Sequence, residues 1–343
     1  MPSDADFGAT LGRVSAGEDL PLEEMRSAIN AIMQGGVEED DIATLLTGLA
    51  KKGETVDEVA GAAMAMREHM TPIRTSLPTL VDTCGTGGGG SKTFNVSTTA
   101  AIVAAAGGAA VAKHGNRSVT SRTGSADVLA ELGVNIEASV ETVEACLDEL
   151  GLCFCFAPLM HPAMRHVGVV RKRLGIRTIF NVLGPLANPA RATRQVLGAG
   201  LPELRPLLAG AMQRLGTEKT LIVSGEDGLG DVTIAGQTNV SQVVGGEVTE
   251  FRWTPEDFGI ERGATVGLEV ESAAHSAAVI RKLLKGMPGP ARDIVVLNAA
   301  AALLAADVAG SPRDGAERAS EAIDTGAAAD LLAKLADRSH AAG

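Results

Sequence analysis

"VDTCGTGGGGSKTFNVSTTA", residues 81–100, decides how the chain is read. An apolar run ends in Gly85 and a glycine tract from Gly87 to Gly90, and a Ser/Thr/Asn-rich stretch then leads into alanines. Each glycine costs about 0.5–1 kcal/mol in regular structure, so such a concentration needs a use. A strand, a glycine loop and a helix with Ser97 and Thr98 at its mouth supply one. Side-chain-free residues let amides turn inward, and the helix N-terminus adds its dipole, an arrangement suited to an anion. Gly85, Gly87 and Gly90 satisfy G-x-G-x-x-G, but the dinucleotide reading needs an acid about 20 positions further on, and none occurs from Thr83 to Ser125. The P-loop pattern needs Gly directly before Lys; here Ser91 precedes Lys92. What remains is a phosphate cradle of another kind.

The field around that loop points the same way. The chain has 42 acidic residues, yet the 44 positions between Asp82 and Asp127 have none, while Lys92, Lys113, Arg117 and Arg122 fall inside the gap. A highly charged ligand such as a pyrophosphate suits this local charge. The bland alternative is a buried Ala-rich helix that excludes charge anyway.

Outward from the loop, strands alternate with helices. "TLVDTC", "AAVAKHG", "GLCFCFAP", "ATRQVLGAG" and "KTLIVSG" read as strands; "TTAAIVAAA", "SADVLAELGV", "LPELRPLLAGAMQRLG" and "VVLNAAAALLAA" read as helices. This alternation predicts an α/β fold with a mostly parallel central sheet flanked by helices. Residues 20–70 read as helices alone. Met25, Ile29 and Ile32 form one stripe, and Ile42, Leu45, Leu46 and Leu49 a second. Thr55 with Glu58 fits a capping box before Val59, Ala62, Ala63 and Met66. These stripes need a cover, either another subunit or the same chain. The last 15 or so residues, rich in Ala and polar groups, are expected to fray.

At 343 residues, two domains, or one with an appendage, are the prior. Apolar residues make up 45%, ample for a core, and the net charge of −12 argues against nucleic acid and anionic membrane surfaces as partners. The longest uncharged apolar run, Ala100 to Ala112, has 13 residues, too few to span a bilayer. The start MPSDADFG does not read as a secretory leader. Four cysteines are too few for a disulfide scaffold, and Cys146, Cys153 and Cys155 have no zinc spacing. A cytoplasmic protein is expected.

A second polar loop, "AKHGNRSVTSRTGSAD" at 112–127, and a third signature, "HPAMRHVGVVRKRLGIRTIFNVLGPLANP" at 161–189, follow the first in order. Together the three motifs resemble anthranilate phosphoribosyltransferase, and the likeness runs from about residue 20 to 335. The resemblance implies a small all-helical N-terminal domain, 1–75, joined by a segment near 165–190 that returns to it, and an α/β domain at 76–343. It implies a homodimer through the helical part. It also implies transfer of the phosphoribosyl group of 5-phosphoribosyl 1-pyrophosphate to the amine of anthranilate, with Mg²⁺ and no covalent nucleophile. By matching position, Gly85, Thr86, Gly87, Gly88, Asn95, Ser97, Thr98, Lys113 and Ser125 would hold the sugar donor. Gly85, His114, Asn116, His161, Arg171 and Gly184 would line the anthranilate site, and Ser97 and Asp231 would meet the metal.

Each of these has a bland reading. His114 and His161 could be hydrogen-bonded structural histidines, and Arg171, Lys172, Arg173 and Arg177 an exposed helix face. Two other functions also stay open: a related pentosyltransferase such as a pyrimidine nucleoside phosphorylase, and a non-catalytic nucleic-acid-binding paralogue. His114, Asn116 and Arg171 disfavour the first, and the acidic balance disfavours the second. Two departures from the family pattern matter. Gly89 stands where the loop GTGGD has Asp, and "EDGLGDV" places Gly230 and Asp231 where an Asp-Glu pair is usual. One protein-supported Mg²⁺ instead of two is expected, with Glu226 or Asp227 as possible substitutes.

Overall fold

The computed structural model describes residues 4–87, 92–118 and 122–341. Seven strands form one sheet: β1 Val81–Gly85, β2 Val111–Gly115, β3 Leu152–Phe156, β4 Arg194–Gly198, β5 Lys219–Gly225, β6 Thr238–Val244 and β7 Glu247–Trp253. Their order is β3-β2-β1-β4-β5-β6-β7. The first five run parallel, as the strand–helix alternation predicts, and β5, β6 and β7 pair antiparallel. That closing hairpin was not legible in the sequence. Gly245 and Gly246, both at positive φ, make its two-residue turn.

Parallel strands buried on both faces need helices on both. On one face the Val96–Ala106 and Pro290–Ala305 helices pack together, and their alanines let them approach closely. Both share an apolar cluster with Val81, Val111, Cys153 and Leu221 of the strands. On the other face the Arg205–Arg214 helix packs against β5, β6 and β7, and the Leu22–Met33, Glu39–Lys52 and Val56–Glu68 helices share its apolar cluster with Leu197, Ile222 and Val243 of the strands. The stripes read from the sequence are buried: Met25, Ile29, Leu45 and Leu49 have no measurable exposure. Their cover comes from the same chain. Val167 and Val170 of the Arg165–Leu174 helix, Phe180 and Leu183, and Leu208 and Met212 of the Arg205–Arg214 helix complete that cluster.

The capping box at Thr55 is present, and its acid does more than cap. Glu58, fully buried, takes N–H donors from Leu20 (2.9 Å) and Thr55 (2.8 Å) and an ion pair from Lys52 (2.8 Å). It thus ties three segments of the helical unit to one carboxylate.

The expected fraying of the C-terminus is corrected. Ala327–Ser339 is a helix whose Ala328, Leu332 and Leu335 are buried. Ser339 receives the Asn135 N–H (2.8 Å), and Arg338 forms a forked pair with Glu149 (2.9 and 3.0 Å). A stripe at i, i+4, i+7 outweighs the polar composition on which the expectation rested. No helix among the described residues is long and apolar enough to cross a membrane.

Candidate active site

The strand order reverses direction between β1 and β4, and in such sheets ligands bind beyond the carboxyl ends of the strands at that point. The glycine turn lies there. The Thr86 N–H donates to Gly198 O (2.9 Å), and Thr86 Oγ1 accepts the Gly200 N–H (3.2 Å), so the turn is pinned to the end of β4. Gly87 takes φ +64°, the left-handed region where glycine is favoured. A Cβ at Gly198 would lie 1.8 Å from Gly230 O, so these two backbones touch because neither residue has a side chain. Gly88 and the departure at Gly89 lie outside the described residues.

The Val96–Ala106 helix opens on this turn with Ser97 and Thr98 in its first turn, as expected. Asn95 precedes it without capping it. Its side chain instead accepts from Ser276 Oγ (2.8 Å) and Thr123 Oγ1 (3.2 Å), joining the helix mouth to the second polar loop and to the Ala273–Leu283 helix. The first-turn amides are left without a side-chain cap, ready for an anion. The second loop is closed by its own residues. Ser125 Oγ donates to Asn116 O (3.3 Å), and Asn116 Oδ1 accepts the Arg117 N–H (2.8 Å). Asp127 accepts N–H donors from Ser118 and Gly124 and pairs with Arg117, which together hold its carboxyl below the usual range against the opposing effect of burial.

Lys113 is brought beneath the turn, not into it. It is 3% exposed, and its amine donates to the Thr83 carbonyl and hydroxyl. Burial pushes it toward the neutral amine, and the charge of Asp82 pulls it back. Asp82, wholly buried, is raised by burial and held down by Lys113, Asn188 and the His114 N–H. The sequence reading missed Asp82 and Asn188. An acid in an otherwise apolar strand, "TLVDTC", was the available signal.

His114 and His161 lie together, ring centroids 5.0 Å apart. His114 Nδ1 donates to Gly184 O (3.0 Å), and His161 has a backbone hydrogen bond with Ala187. Burial depresses both, His114 to about 3 with help from His161, and His161 to about 4. Both rings are therefore neutral at pH 7. Each Nε2 is buried with no partner among the described residues. The purely structural reading accounts for one nitrogen of each ring and leaves the other without a role.

The structure also separates the arginines that the sequence grouped. Lys172, Arg173 and Arg177 are exposed, and Arg173 pairs with Glu39 and Asp40. Arg171 is half-buried, 5.8 Å from the Phe180 ring and 3.5 Å from Asn181 Oδ1, with no acidic partner among the described residues. Burial lowers its pKa. Asn181 lies in the Phe180–Leu183 turn that leads directly to Gly184, so Arg171 and His114 grip one segment.

Ser97 and Asp231 line one small cavity with Thr83, Gly198, Gly230 and Asn298. Asp231 has no hydrogen-bond or ion-pair partner among the described residues, and burial, with Asp227 adding to it, pushes its pKa up to about 7 against the pull of Lys113. Asp227 is already engaged by Thr233 Oγ1 (2.6 Å) and the Leu229 N–H (3.2 Å), and Glu226 is exposed. No group of three His, Cys, Asp or Glu side chains among the described residues is placed to hold a metal. A carboxylate and a hydroxyl fit Mg²⁺, which takes few protein ligands and keeps water and phosphate oxygens for the rest. Cys146, Cys153 and Cys155 are buried, as expected for structural thiols.

Comparison with known proteins agrees with this geometry. Residues 77–329 match the model of the glycosyl transferase family a/b domain, and residues 9–70 its helical bundle domain. An anthranilate phosphoribosyltransferase of Thioalkalivibrio sulfidiphilus is 49% identical over 96% of this chain and 98% of its own. One from Rhodopirellula baltica is 46% identical over 96% and 97%. The crystal structure of the Thermus thermophilus anthranilate phosphoribosyltransferase superposes with a TM-score of 0.91 at 43% identity, covering 96% of this chain and 99% of that one. The Saccharomyces cerevisiae protein, solved in complex with PRPP and Mg, gives 0.89 at 29% identity over 98% of both chains. With both family domains matched and relatives at 49% and 43% identity covering nearly all of it, the chain belongs to the anthranilate phosphoribosyltransferase family.

Proposed function

We propose that this chain transfers the phosphoribosyl group of 5-phosphoribosyl 1-pyrophosphate to the amine of anthranilate, releasing pyrophosphate. One observation carries the reading: an uncapped helix mouth and a glycine turn at the sheet's switch point, beside two neutral histidines and an unpaired, half-buried arginine. The amides of the turn and of Ser97 and Thr98 bind the donor's phosphates. Arg171 pairs with the acceptor's carboxylate, for which its planar fork is suited. The Nε2 atoms of His114 and His161 accept hydrogen bonds from the aromatic amine and aim its lone pair at the ribose carbon.

As the N–C bond forms, the C–O bond to pyrophosphate breaks and its electron pair leaves with the diphosphate. Rings this weakly basic orient the amine without retaining its proton, so the proton passes to the leaving diphosphate or to solvent. Bound Mg²⁺ would offset the charge that develops on the diphosphate, and Ser97 and Asp231 are the residues that would hold it. The chain's main contribution is alignment of two substrates in a site built to receive negative charge.

The test is loss of anthranilate fluorescence on adding donor and Mg²⁺. No loss, with phosphate-dependent cleavage of a nucleoside instead, would assign the chain to the pyrimidine phosphorylase reaction. Arg171→Ala is expected to raise KM for anthranilate, by loss of a charge-assisted pair, by about 1.5–3 kcal/mol. Steady-state kinetics would show KM for the donor nearly unchanged; equal effects on both would mean that another residue binds the carboxylate. Turnover is expected to saturate in one Mg²⁺ step, because Asp231 stands without the second acid. Two saturable steps in a metal titration would contradict that. The same reading makes the chain a cytoplasmic homodimer joined through its helical part. Val169 and Ile176, 59% and 46% exposed, are the apolar residues that such a contact would cover.

A further inference from the structure

At the opposite end of the sheet from the glycine turn, a cavity of about 360 Å³ opens where the Val56–Glu68 helix meets the entrances to β4 and β5. Three arginines line it. Arg26 is neutralised by Glu68 and Glu23. Arg67 and Arg191 have no acidic partner among the described residues. Arg67 uses Nε on Leu186 O (2.7 Å) and leaves the rest of its fork to the cavity. Burial, with the charge of Arg191 beside it, lowers Arg67 to about 10. Arg191 is held at φ +53°, a conformation that side chains other than glycine rarely adopt, in a turn closed by its N–H to Asn188 O (3.0 Å). Local conformation favours glycine there, and the chain instead places a second cation at the cavity. Met64, Met212 and Leu215 line the same cavity.

We propose that this cavity is a second ligand site, for a small carboxylate with a compact apolar body, and that its occupancy is felt at the histidine pair. Glu68 also lines the cavity, but its carboxylate is held by Arg26 and Asn30. The guanidinium groups of Arg67 and Arg191 call for an anion of their own, and a guanidinium fork matches a carboxylate. A bare tetrahedral anion would leave the methionine and leucine surface unused. The link is the short segment from Gly184 to Ala187. Arg67 holds Leu186 O from the cavity side, while His114 holds Gly184 O and His161 bonds to Ala187 from the other. A carboxylate that draws the Arg67 fork toward itself pulls on the segment that orients both rings. Only this coupling rests on the function proposed above; the binding site does not.

The test uses benzoate as probe and the full chain. In the Arg171→Ala background, which silences the proposed acceptor pocket, calorimetric titration is expected to show one saturable benzoate site. Adding Arg191→Gly, which keeps the left-handed turn, is expected to weaken that site at least about tenfold, or 1.4 kcal/mol. Nuclear magnetic resonance of the two histidine rings should shift with benzoate in the first protein, and in the second only at correspondingly higher benzoate. Arg191→Gly alone should leave turnover without benzoate unchanged. An affinity that Arg191→Gly does not alter would overturn the site, and sulfate binding there as tightly as benzoate would overturn the ligand class. Ring signals that stay still while benzoate binds would overturn the coupling. Failure of the acceptor reading would show separately, as equal benzoate stoichiometry in the wild-type and Arg171→Ala proteins.

Discussion

Asp82→Asn is expected to cost about 3–5 kcal/mol of stability and to abolish most turnover. The carboxylate sits wholly inside the protein, with Oδ1 accepting the His114 N–H (3.1 Å) and Oδ2 accepting Asn188 Nδ2 (2.8 Å). Asn188 cannot turn to suit a new partner. Its Nδ2 also donates to Ala112 O (2.8 Å), and its Oδ1 accepts the Ala190 N–H (2.9 Å). An amide at position 82 therefore places a donor against a donor whichever way it faces. The substitution also removes the charge that opposes the downward push of burial on the Lys113 amine. Urea unfolding measures the loss. The double variant Asp82→Asn/Lys113→Met should recover part of the stability, because no cation is then stranded, without recovering turnover. A single variant losing less than about 1 kcal/mol would show that the buried charge is not what this acid offsets.

The histidine pair is expected to make stability fall with acidity. In the unfolded chain each ring takes its proton near pH 6.5, whereas in the fold His114 does so only at about 3 and His161 at about 4. Between those limits the unfolded chain binds protons that the folded one refuses, so folding free energy is lost as pH drops below 6.5 and is fully present above it. One pH unit is worth about 1.36 kcal/mol per ring, so at pH 5 the pair has given up about 4 kcal/mol. Asp231, raised to about 7, works in the opposite direction over part of this range. The quantity to measure is therefore the difference in urea stability between the wild-type protein and His114→Gln/His161→Gln, at pH 7.5 and pH 5. The same pH slope in both proteins would mean that the rings take up protons without resistance from the fold.

The large features were legible because they are local. Apolar runs of strand length bounded by glycine gave β1 to β5, and the Thr55–Glu58 box fixed the start of a helix. The β6–β7 hairpin escaped because its strands alternate polar and apolar residues at modest contrast, and the C-terminal helix because alanine conceals a stripe. In the site, motif residues announced themselves by type, yet their support did not. Asn188 lies 106 positions from Asp82, and Ser276 lies 181 from Asn95. Such partners meet only once the sheet is assembled. Protonation was likewise invisible: nothing in the letters around His114 or His161 indicates a ring made neutral by burial. Nor could spacing separate Arg171 from its exposed neighbours, since the distinction depends on how the Phe180–Leu183 turn folds against it.

The two margins of the sheet are finished differently. Leu152–Phe156 is buried along its length, whereas Glu247–Trp253 faces water with Glu247, Glu250 and Arg252 exposed. Charged side chains along an open strand discourage a neighbouring molecule from zipping onto it. At the crowded concentrations of a cell, that fringe guards the protein against stacking into fibrils while its other rim is sealed off.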